Sequence, residues 1–348
     1  MRFISLAFLL FLQIAVKAQT SEYFVIVTID GVRWQEVFGG VDSTMMSAKN
    51  YQHLKKQFDA QSGIEKANLL MPFLHQQLKP NGVLLGNRTE NSLVEVANPY
   101  WFSYPGYNEI FTGYPDSAIN SNDKFYNPNV SFLEVLSKQA AFKNKIAVFG
   151  SWDRFSYILN DKRSGLLVND GFRNLEGNLN DFQKLLNQQQ HELPKLFHDA
   201  ERLDYVTFYH ALEYLKKDKP RVLVIALGDT DEFAHSSQYD FYVEAIHQSD
   251  KWLKILWNYI QSDKQYKNKT TLLITTDHGR GAIEDKGWIG HGSGTKGSNE
   301  IWFAAIGPSA KLFESDSKIY QAQFAATIMK ALGMKYTVNH TYYKEITK

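Results

Sequence analysis

Aspartates and histidines cluster just after three apolar runs in this sequence. The set comprises Asp30 after YFVIVTI, Asp229, Asp231 and His235 after VLVIAL, Asp277 and His278 after TLLITT, and His291 in a Gly-rich loop. Carboxylate oxygen and neutral imidazole nitrogen are ligands that Zn²⁺ binds in proteins. All of these side chains except Asp229 would together supply six ligands for two tetrahedral ions. The sequence therefore predicts a two-metal site.

The spacing within the set constrains how its side chains can meet. Asp231 and His235 are four residues apart, so both lie on one face if a helical turn begins at Asp231. Asp277 and His278 are adjacent, so an irregular turn must follow the third run. The whole set indicates metal far more specifically than one Asp-His pair, because a strand-end aspartate often caps a helix instead.

Ser103 is the simplest candidate for a nucleophile. It lies in the segment NPYWFSYPGYNEIFTG, at a predicted helix start where backbone N–H groups and the positive helix end favour an anion. A serine hydroxyl needs a base or a metal to lower its pKa, and Zn²⁺ can do so directly. The competing interpretation is a helix N-cap, which is the commoner role of such serines. Thr112 and Ser92 are alternative nucleophiles, but neither has a comparable turn.

A sheet has to position these residues. Short, β-branched apolar runs are typical of parallel strands covered on both faces, and such sheets hold ligands at the carboxyl ends of their strands. We predict strands over residues 23–29, 82–86, 145–149, 222–227, 271–276 and 301–306, and helices over 132–139, 239–261 and 320–332. This alternation predicts an α/β fold with a mostly parallel central sheet flanked by helices. Residues from about 155 to 220 are polar and helical in pattern, which predicts a helical cap or insertion.

The first residues resemble an export signal. Arg2 supplies positive charge, residues 4–16 are apolar, and Val16-Lys17-Ala18 offers small residues at the cleavage-determining positions. We therefore expect a signal peptide over residues 1–18, a catalytic domain over 19–348, and a periplasmic or secreted protein. A retained anchor is less favoured, because the apolar run is shorter than the ~20 residues that span a bilayer.

Composition narrows the classes of partner. A chain of 348 residues that is 44% hydrophobic can bury a full core. Its formal net charge of +1 gives no bulk electrostatic reason to expect nucleic-acid binding. The chain has no cysteine, which excludes disulfides. Any anionic substrate must therefore be held by local charge, and we expect no membrane span after the signal is cleaved.

The ordered set resembles the alkaline phosphatase superfamily, nearest its nucleotide pyrophosphatase/phosphodiesterase branch and the related single-nucleophile phosphatases. The matching motifs are Asp30-Gly31, Ser103-Tyr104-Pro105 followed by Thr112-Gly113, Asp231-x-x-x-His235, Thr276-Asp277-His278-Gly279 and His291-Gly292. The resemblance covers about residues 23–333 apart from the insertion. Ala234 stands where the family has glycine, and Pro105-Gly106-Tyr107 stands where it has Pro-Asn-His. Neither departure removes a ligand.

The resemblance implies two Zn²⁺ ions and a phosphoserine intermediate. One zinc would be held by Asp231, His235 and His291, and the other by Asp30, Asp277 and His278, with Ser103 directed toward the second. The substrate would be a phosphate mono- or diester.

The resemblance also implies contacts to the phosphoryl group. Asn122 falls where the family places an asparagine that hydrogen-bonds a phosphoryl oxygen, and Arg154 lies in a segment where some members hold phosphate. An inward Arg154 could clamp two oxygens and would favour a dianionic monoester over a diester, whose extra substituent needs an apolar slot. The aromatic candidates for that slot are Trp101, Tyr104, Tyr107 and Trp152.

Three other functions fit parts of the pattern. A sulfatase is chemically nearest, because Ser103-x-Pro105 begins the Ser/Cys-x-Pro-x-Arg turn of that related family, but Tyr107 stands at the arginine position and the histidine-rich set suits zinc better than Ca²⁺. A cofactor-independent phosphoglycerate mutase shares the fold, but a signal peptide does not suit a glycolytic enzyme. A non-catalytic exported binding protein would be expected to lack ligands, and none is missing.

Overall fold

The computed structural model describes residues 20–336 and 343–348. The predicted signal peptide, residues 1–18, lies outside the described residues and stays a prediction. The strands are β1 Tyr23–Ile29, β2 Gly82–Leu85, β3 Val94–Glu95, β4 Ile146–Gly150, β5 Leu167–Asp170, β6 Val222–Leu227, β7 Thr270–Thr275, β8 Glu300–Ile301, β9 Phe303–Ile306 and β10 Ile319–Tyr320.

The helices alternate with these strands along much of the chain. The α-helices are α1 Trp34–Gly39, α2 Ser43–Ser47, α3 Lys55–Phe58, α4 Gly63–Leu70, α5 Lys79–Asn81, α6 Ser103–Thr112, α7 Phe132–Ser137, α8 Phe155–Ile158, α9 Asp161–Ser164, α10 Asp181–Glu192, α11 Asp204–Asp218, α12 Asp229–His235, α13 Tyr239–Ser262 and α14 Phe324–Ala331. Short 3₁₀ turns and one π-helical turn, Leu74–Leu78, complete the described elements.

The central sheet of the described residues has seven strands in the order β2-β9-β7-β1-β6-β4-β5. The strands from β7 to β5 run parallel, whereas β9 runs antiparallel to both of its neighbours, β7 and β2. In the register of the three middle strands, Thr28 pairs with Ala226 and with Thr275. Residues just beyond these positions therefore emerge side by side at one edge of the sheet. This confirms the predicted α/β fold with a mostly parallel central sheet.

Two hydrophobic cores cover the faces of the sheet. Successive residues of β1 alternate between them: Val25 and Val27 belong to one core, and Phe24 and Ile26 to the other. The first core includes apolar residues of α11 and α13, and the second includes residues of α6 and α14. Burial on both faces explains why the strands are continuously apolar in sequence.

The segment predicted as a helical cap differs from that prediction in its architecture. Within residues 155–220, β5 pairs in parallel with β4 and extends the central sheet, and α11 packs against β4 and β6. The sequence of β5, LVND, is too short and too polar at its end to be distinguished from a loop by its pattern. Much of the segment is therefore part of the main α/β domain.

The structure also contains a small second sheet that the sequence did not predict, with strand order β10-β3-β8. Its strands have two residues each, too few to produce a readable alternation. Among residues 20–336 and 343–348, no helix is long and apolar enough to cross a membrane.

Candidate active site

Three of the predicted ligands converge between α12 and the loop that follows β7. We call Asp231, His235 and His291 the outer set; their ligand atoms all lie within 4.8 Å of one another. Nε2 of His235 is 3.0 Å from Oδ2 of Asp231 and 2.9 Å from Nε2 of His291. Two imidazole nitrogens that face each other need either a proton or a cation between them. This geometry fits a metal ion.

The other three predicted ligands lie beyond the carboxyl ends of β1 and β7. We call Asp30, Asp277 and His278 the inner set. Nε2 of His278 is 3.3 Å from Oδ1 of Asp30 and 3.5 Å from Oδ2 of Asp277. Both of these carboxylate oxygens are buried and have no hydrogen-bond partner among the residues described. Buried polar atoms without partners are costly, so these two oxygens fit a bound cation.

Each inner-set side chain has its remaining polar atom held by the protein. Oδ1 of Asp277 accepts a hydrogen bond from the backbone N–H of Gly31 at 3.2 Å, and Nδ1 of His278 faces the carbonyl of Gly279 at 3.0 Å. The carbonyl selects the His278 tautomer with its proton on Nδ1, which leaves the lone pair of Nε2 available. Oδ2 of Asp30 accepts from the Tyr107 hydroxyl at 2.9 Å.

Asp231 connects the two sets. Its Oδ1 lies 3.8 Å from Nε2 of both His278 and His291, whose rings stack with centroids 3.9 Å apart. Ligand atoms of Asp30, Asp231 and His278 also fall within 4.8 Å of one another. The structure thus brings all six predicted ligands into one centre.

The electrostatics of the inner carboxylates favour a cation. Burial raises the pKa of Asp30 well above its usual value, and the charge of Asp231 raises that pKa further. Burial also raises the pKa of Asp277, with Asp30 as the next contributor. Carboxylates that are buried and close together resist ionisation, and a divalent ion would relieve both effects. The residues present therefore fit a pair of divalent ions.

The electrostatics of the outer set differ from those of the inner set because of Arg280, which no sequence pattern marked as part of the site. Burial acts to raise the pKa of Asp231, but Arg280, His291 and His235 hold that pKa well below its usual value. Burial, followed by the charge of His278, lowers the pKa of His291 well below its usual value, so His291 is neutral, as a metal ligand must be.

Arg280 is a buried cation in direct contact with a predicted ligand. Its Nη2 donates to Oδ1 of Asp231 and, at 3.1 Å, to the Asp231 carbonyl, while Nη1 donates to the carbonyl of Trp288 at 3.1 Å. A Cβ on Gly31, whose φ is +61°, would lie 2.6 Å from Oδ1 of Asp231 and 2.8 Å from Nε of Arg280. Only glycine fits there. The available sequence signal for Arg280 was its place directly after Asp277-His278-Gly279.

Ser103 is the first residue of α6, and its Oγ lies 3.4 Å from Nε2 of His278. Hydrogen bonds within the loop that precedes α6 fix the position of Ser103. Glu109 accepts hydrogen bonds from the backbone N–H of Asn98 at 2.7 Å and from its amide group at 2.9 Å. Oδ1 of Asn98 accepts in turn from the N–H of Trp101 at 3.1 Å, and Trp101 has a left-handed φ of +56°. Such a conformation persists only where neighbouring contacts impose it.

The side chain of Asn122 contacts the first turn of α6, beside Ser103. Its Oδ1 accepts from the backbone N–H of Tyr104 at 2.9 Å. This contact corrects part of the prediction that the N–H groups at the helix start face an anion, because that of Tyr104 is occupied. The same hydrogen bond fixes the orientation of the amide, so the Nδ2 group of Asn122 points away from the Tyr104 N–H.

Arg154 lies beside Asn122. Its Nε donates to the Asn122 carbonyl at 2.8 Å, its Nη1 pairs with Asp153, and its guanidinium lies over the ring of Trp152 at 5.3 Å. Asp153 also pairs with Lys124 at 2.6 Å. The structure therefore brings Arg154 and Asn122 together near the helix that begins at Ser103.

Several residues considered from sequence lie outside this centre. Asp229 exchanges two backbone-to-carboxylate hydrogen bonds of 3.0 Å with Asp204, which is a structural role. Thr112 ends α6 and donates to the Asn108 carbonyl at 2.7 Å, while Oγ of Ser92 accepts from the Gly86 N–H at 3.0 Å.

The prediction of an apolar slot for the substrate, lined by four aromatic residues, is wrong for two of them. Tyr104 and Tyr107 are 0% and 1% exposed, so neither can line a surface that a substrate reaches. Their hydroxyls are engaged inside the protein, with the Phe125 carbonyl at 2.6 Å and with Asp30. Trp101 and Trp152 are partly exposed.

A comparison with family models matched the part of the chain that carries most of the candidate ligands. A family model described as "Metalloenzyme superfamily" matches residues 181–336, which contain the whole outer set together with Asp277 and His278. The comparison with curated proteins gave no match.

Solved structures share the fold at low sequence identity. The lipoteichoic acid synthase LtaP from Listeria monocytogenes is 14% identical, with 91% of this chain and 73% of that chain covered and a TM-score of 0.57. A protein in the alkaline phosphatase superfamily from Vibrio parahaemolyticus is 12% identical, with 92% and 68% covered and a TM-score of 0.54. A 2-O GAG sulfatase is 10% identical, with 92% and 72% covered and a TM-score of 0.54.

Residues 181–336 are therefore similar to the Metalloenzyme superfamily, and the α/β fold is shared with the solved structures named above. The family model matches less than half of the chain, and the solved structures, at 10–14% identity, show that the fold is shared. The family description agrees with the two groups of candidate ligand atoms in this centre.

Proposed function

We propose that this protein is a two-zinc phosphoester hydrolase that acts through a phosphoserine intermediate at Ser103. The observation that carries the proposal is the position of the Ser103 hydroxyl. Oγ of Ser103, at the first residue of α6, lies 3.4 Å from Nε2 of His278, inside a centre of carboxylates and imidazoles with unpartnered buried oxygens. A serine that served only as a helix cap would not need this neighbourhood.

Zinc suits the donor set of this centre. The outer set would hold one ion, and the inner set would hold the other, with Ser103 directed toward it. Histidine nitrogen and carboxylate oxygen are typical zinc donors, whereas Ca²⁺ and Mg²⁺ prefer oxygen alone. Bound ions would supply charge stabilisation for the attacking and leaving oxygens of an in-line displacement.

The chain's own residues bind and orient the substrate. Oγ of Ser103 forms a bond to phosphorus while the ester bond breaks and the alcohol leaves; water then cleaves the phosphoserine and regenerates the hydroxyl. The Nδ2 group of Asn122, turned away from Tyr104, would donate to a phosphoryl oxygen. Arg154 would place a positive charge on the same side. Asn122 and Arg154 would therefore stabilise the negative charge of the phosphoryl group from fixed positions.

The position of Arg154 supports monoesters as the better substrates. A phosphomonoester carries a second negative charge that a guanidinium can neutralise, and a diester does not. Arg154 is already held beside Asn122, so little ordering is required when the anion binds. We also propose that the chain belongs to the alkaline phosphatase superfamily, nearest the nucleotide pyrophosphatase/phosphodiesterase branch and the related single-nucleophile phosphatases.

Sulfate ester hydrolysis is the second candidate, because one of the structurally similar proteins is a sulfatase. The observation against it is Tyr107, which stands at the arginine position of the sulfatase turn. Its hydroxyl donates to Asp30 in the protein interior, so no guanidinium is present at this point.

The proposal also includes export to the periplasm or outside the cell, with a small phosphorylated substrate as partner. Its support is the N-terminal sequence, and the lack of cysteine is compatible with either redox environment.

Hydrolysis of three nitrophenyl esters tests the proposed reaction. Purified protein loaded with zinc should hydrolyse p-nitrophenyl phosphate fastest, bis-p-nitrophenyl phosphate more slowly, and p-nitrophenyl sulfate least. Fastest turnover of the sulfate would replace the proposal with the sulfatase alternative. No turnover of any ester by a protein that binds no metal would indicate the binding-protein alternative.

Ser103→Ala tests the nucleophile. Activity on p-nitrophenyl phosphate should fall by about 10⁴-fold or more, since the attacking atom is removed, while the zinc content measured by elemental analysis stays at the wild-type level. Ser92→Ala is the matched control, because it removes a serine hydroxyl outside the centre, and should keep wild-type activity. Wild-type turnover in Ser103→Ala would exclude the phosphoserine mechanism.

A further inference from the structure

A buried phenol reaches into the inner set from α6. Tyr107 is 1% exposed, and its hydroxyl donates to Oδ2 of Asp30 at 2.9 Å. The other oxygen of Asp30, Oδ1, lies 3.3 Å from Nε2 of His278 and has no hydrogen-bond partner in the described chain. The two oxygens of one carboxylate therefore differ: one is held by the protein and the other is available.

We propose that Tyr107 is a positioning residue that makes Asp30 a one-oxygen ligand of the inner metal ion and ties this ligand to the nucleophile's helix. The inference rests on the proposed two-metal function. A free carboxylate can bind a metal through one or both oxygens and can rotate about its last torsion. The Tyr107 hydrogen bond stabilises one orientation and occupies the second oxygen. Partners of this kind commonly change metal affinity by about 10–100-fold when they are removed.

The packing of α6 holds the phenol in this position. The Tyr107 ring meets Phe155 edge to face, with centroids 4.7 Å apart. A Cβ on Gly106 would lie only 2.5 Å from the Asp277 carbonyl, so this glycine lets α6 sit directly against the inner set. Gln321 donates to the carbonyls of both Gly106 and Asp277 at 3.2 Å and joins the helix to the end of β7. Tyr107 therefore cannot readily turn to another partner.

The hydrogen bond also links the nucleophile to the metal centre. Ser103 and Tyr107 are four residues apart in α6, so they lie on the same face of the helix. One turn of helix thus presents Oγ of Ser103 to His278 and the phenol to Asp30. Loss of the Tyr107 hydroxyl should therefore allow the Asp30 carboxylate to rotate. It should also weaken the link between α6, which carries Ser103, and the inner set.

The Tyr107 hydroxyl is a side-chain group, unlike the backbone groups that hold the rest of the inner set. Asp277 is held by a backbone N–H, and His278 faces a backbone carbonyl. Backbone groups cannot be removed by substitution, whereas the Tyr107 hydroxyl can be deleted by one. Phenylalanine keeps the ring and its packing, so the substitution tests the hydrogen bond alone.

The experiment is a zinc titration of metal-free Tyr107→Phe in competition with a chromophoric chelator. Tyr104→Phe is the matched control, because Tyr104 lies in the same helix, is equally buried, and donates to the Phe125 carbonyl at 2.6 Å instead of to a predicted ligand. We expect one of the two zinc dissociation constants to rise by about 10-fold or more in Tyr107→Phe, and neither to change in Tyr104→Phe. Thermal unfolding of the metal-free proteins should show a similar loss in both variants, since each removes one buried hydrogen bond.

Asp30→Asn completes the test. Adding Tyr107→Phe to Asp30→Asn should not weaken zinc binding further if Tyr107 acts through the Asp30 carboxylate. Wild-type zinc affinities in Tyr107→Phe, or equal losses in Tyr104→Phe, would overturn the inference while the proposed function stands. Failure of the wild-type protein to bind two zinc ions would instead overturn the proposed function.

Discussion

The inner and outer sets of the candidate metal centre differ in how firmly the fold holds them. The side chains of Asp277 and His278 are 0% exposed, whereas that of His235 is 41% exposed. Inner-set atoms that face away from the centre are fixed by backbone groups or by Tyr107. In the outer set, Arg280 holds Asp231, but Nδ1 of His291 has no partner among the residues described.

The difference follows from the elements that carry each set. Asp30 and Asp277 continue two adjacent strands whose register is set by the core, and α6 covers them. His235 ends a short helix near the surface, and His291 lies in a Gly-rich loop. A buried, pre-arranged set loses little conformational entropy on binding an ion, and an exposed set loses more. We therefore expect the inner ion to bind more tightly than the outer one.

Among the tests of this comparison, the largest expected effect comes from Asp277→Asn. The substitution keeps the side-chain shape but removes the charge of a buried inner ligand whose Oδ2 has no other partner described. Activity should fall by about 10³-fold, and elemental analysis should find close to one zinc ion fewer per chain. Asp229→Asn, next to the centre but outside both sets, is the control and should retain its zinc. A wild-type zinc content in Asp277→Asn would remove Asp277 from the inner set.

A smaller effect is expected from His235→Ala. Loss of one exposed ligand should weaken binding of the outer ion by about 100-fold but leave the inner ion in place. Activity measured at low free zinc should therefore be lost, and excess zinc should restore part of it. His198→Ala, an exposed histidine outside the centre, should behave like the wild-type protein. An equal loss of both ions in His235→Ala would show that the sets do not bind independently.

Stepwise chelation of the wild-type protein tests the same difference without a substitution. Release of zinc to a limiting chelator should occur in two phases, because the outer ion is more accessible and less firmly held. The first phase should be missing from His235→Ala, and the second from Asp277→Asn. One single phase in the wild-type protein would contradict the ranking of the two sites.

The smallest expected effect concerns His210, which is fully buried like His278 but belongs to neither set. Burial, followed by the charge of Arg202, lowers the pKa of His210 to about 3, and neither ring nitrogen has a partner among the described residues. The unfolded chain takes up a proton below a pKa of about 6.5, whereas the folded protein resists it, so stability falls as the pH drops through that value. Between pH 7.5 and pH 5 this residue should lower the free energy of unfolding by about 2 kcal/mol.

Denaturant unfolding at several pH values measures this contribution as the difference between wild-type protein and His210→Leu. The difference in unfolding free energy should move by about 2 kcal/mol in favour of the variant on going to pH 5. A constant difference across the range would mean that His210 accepts a proton while folded.

Much of the centre was predictable because most of its candidate ligands follow strands. The carboxyl ends of parallel strands meet at one edge of a sheet, so side chains distant in sequence could be grouped without coordinates. Asp229 shows the limit of this reasoning. It comes after the same strand as Asp231, yet the hydrogen bonds it exchanges with Asp204 commit it to structure.

Other features were not predictable, because they depend on contacts between distant segments. β5 was assigned to a helical cap, since four residues carry too little pattern to identify a strand of the central sheet. Tyr107 was grouped with candidate substrate-facing aromatics, and its contact with Asp30 joins residues 77 positions apart. For Arg280, the indication in the sequence was its position directly after Asp277-His278-Gly279.

The sequence by itself determined the α/β architecture, the order of six candidate metal ligands along the chain and the donor atoms that they offer. These follow from local pattern and from the geometry of parallel strands, which are properties of short segments. Only the tertiary structure decided which oxygen of each aspartate is left available, that Arg280 holds Asp231, and that the inner set is buried while His235 is exposed. Those features arise from close packing between elements far apart in the chain, and no local pattern encodes them.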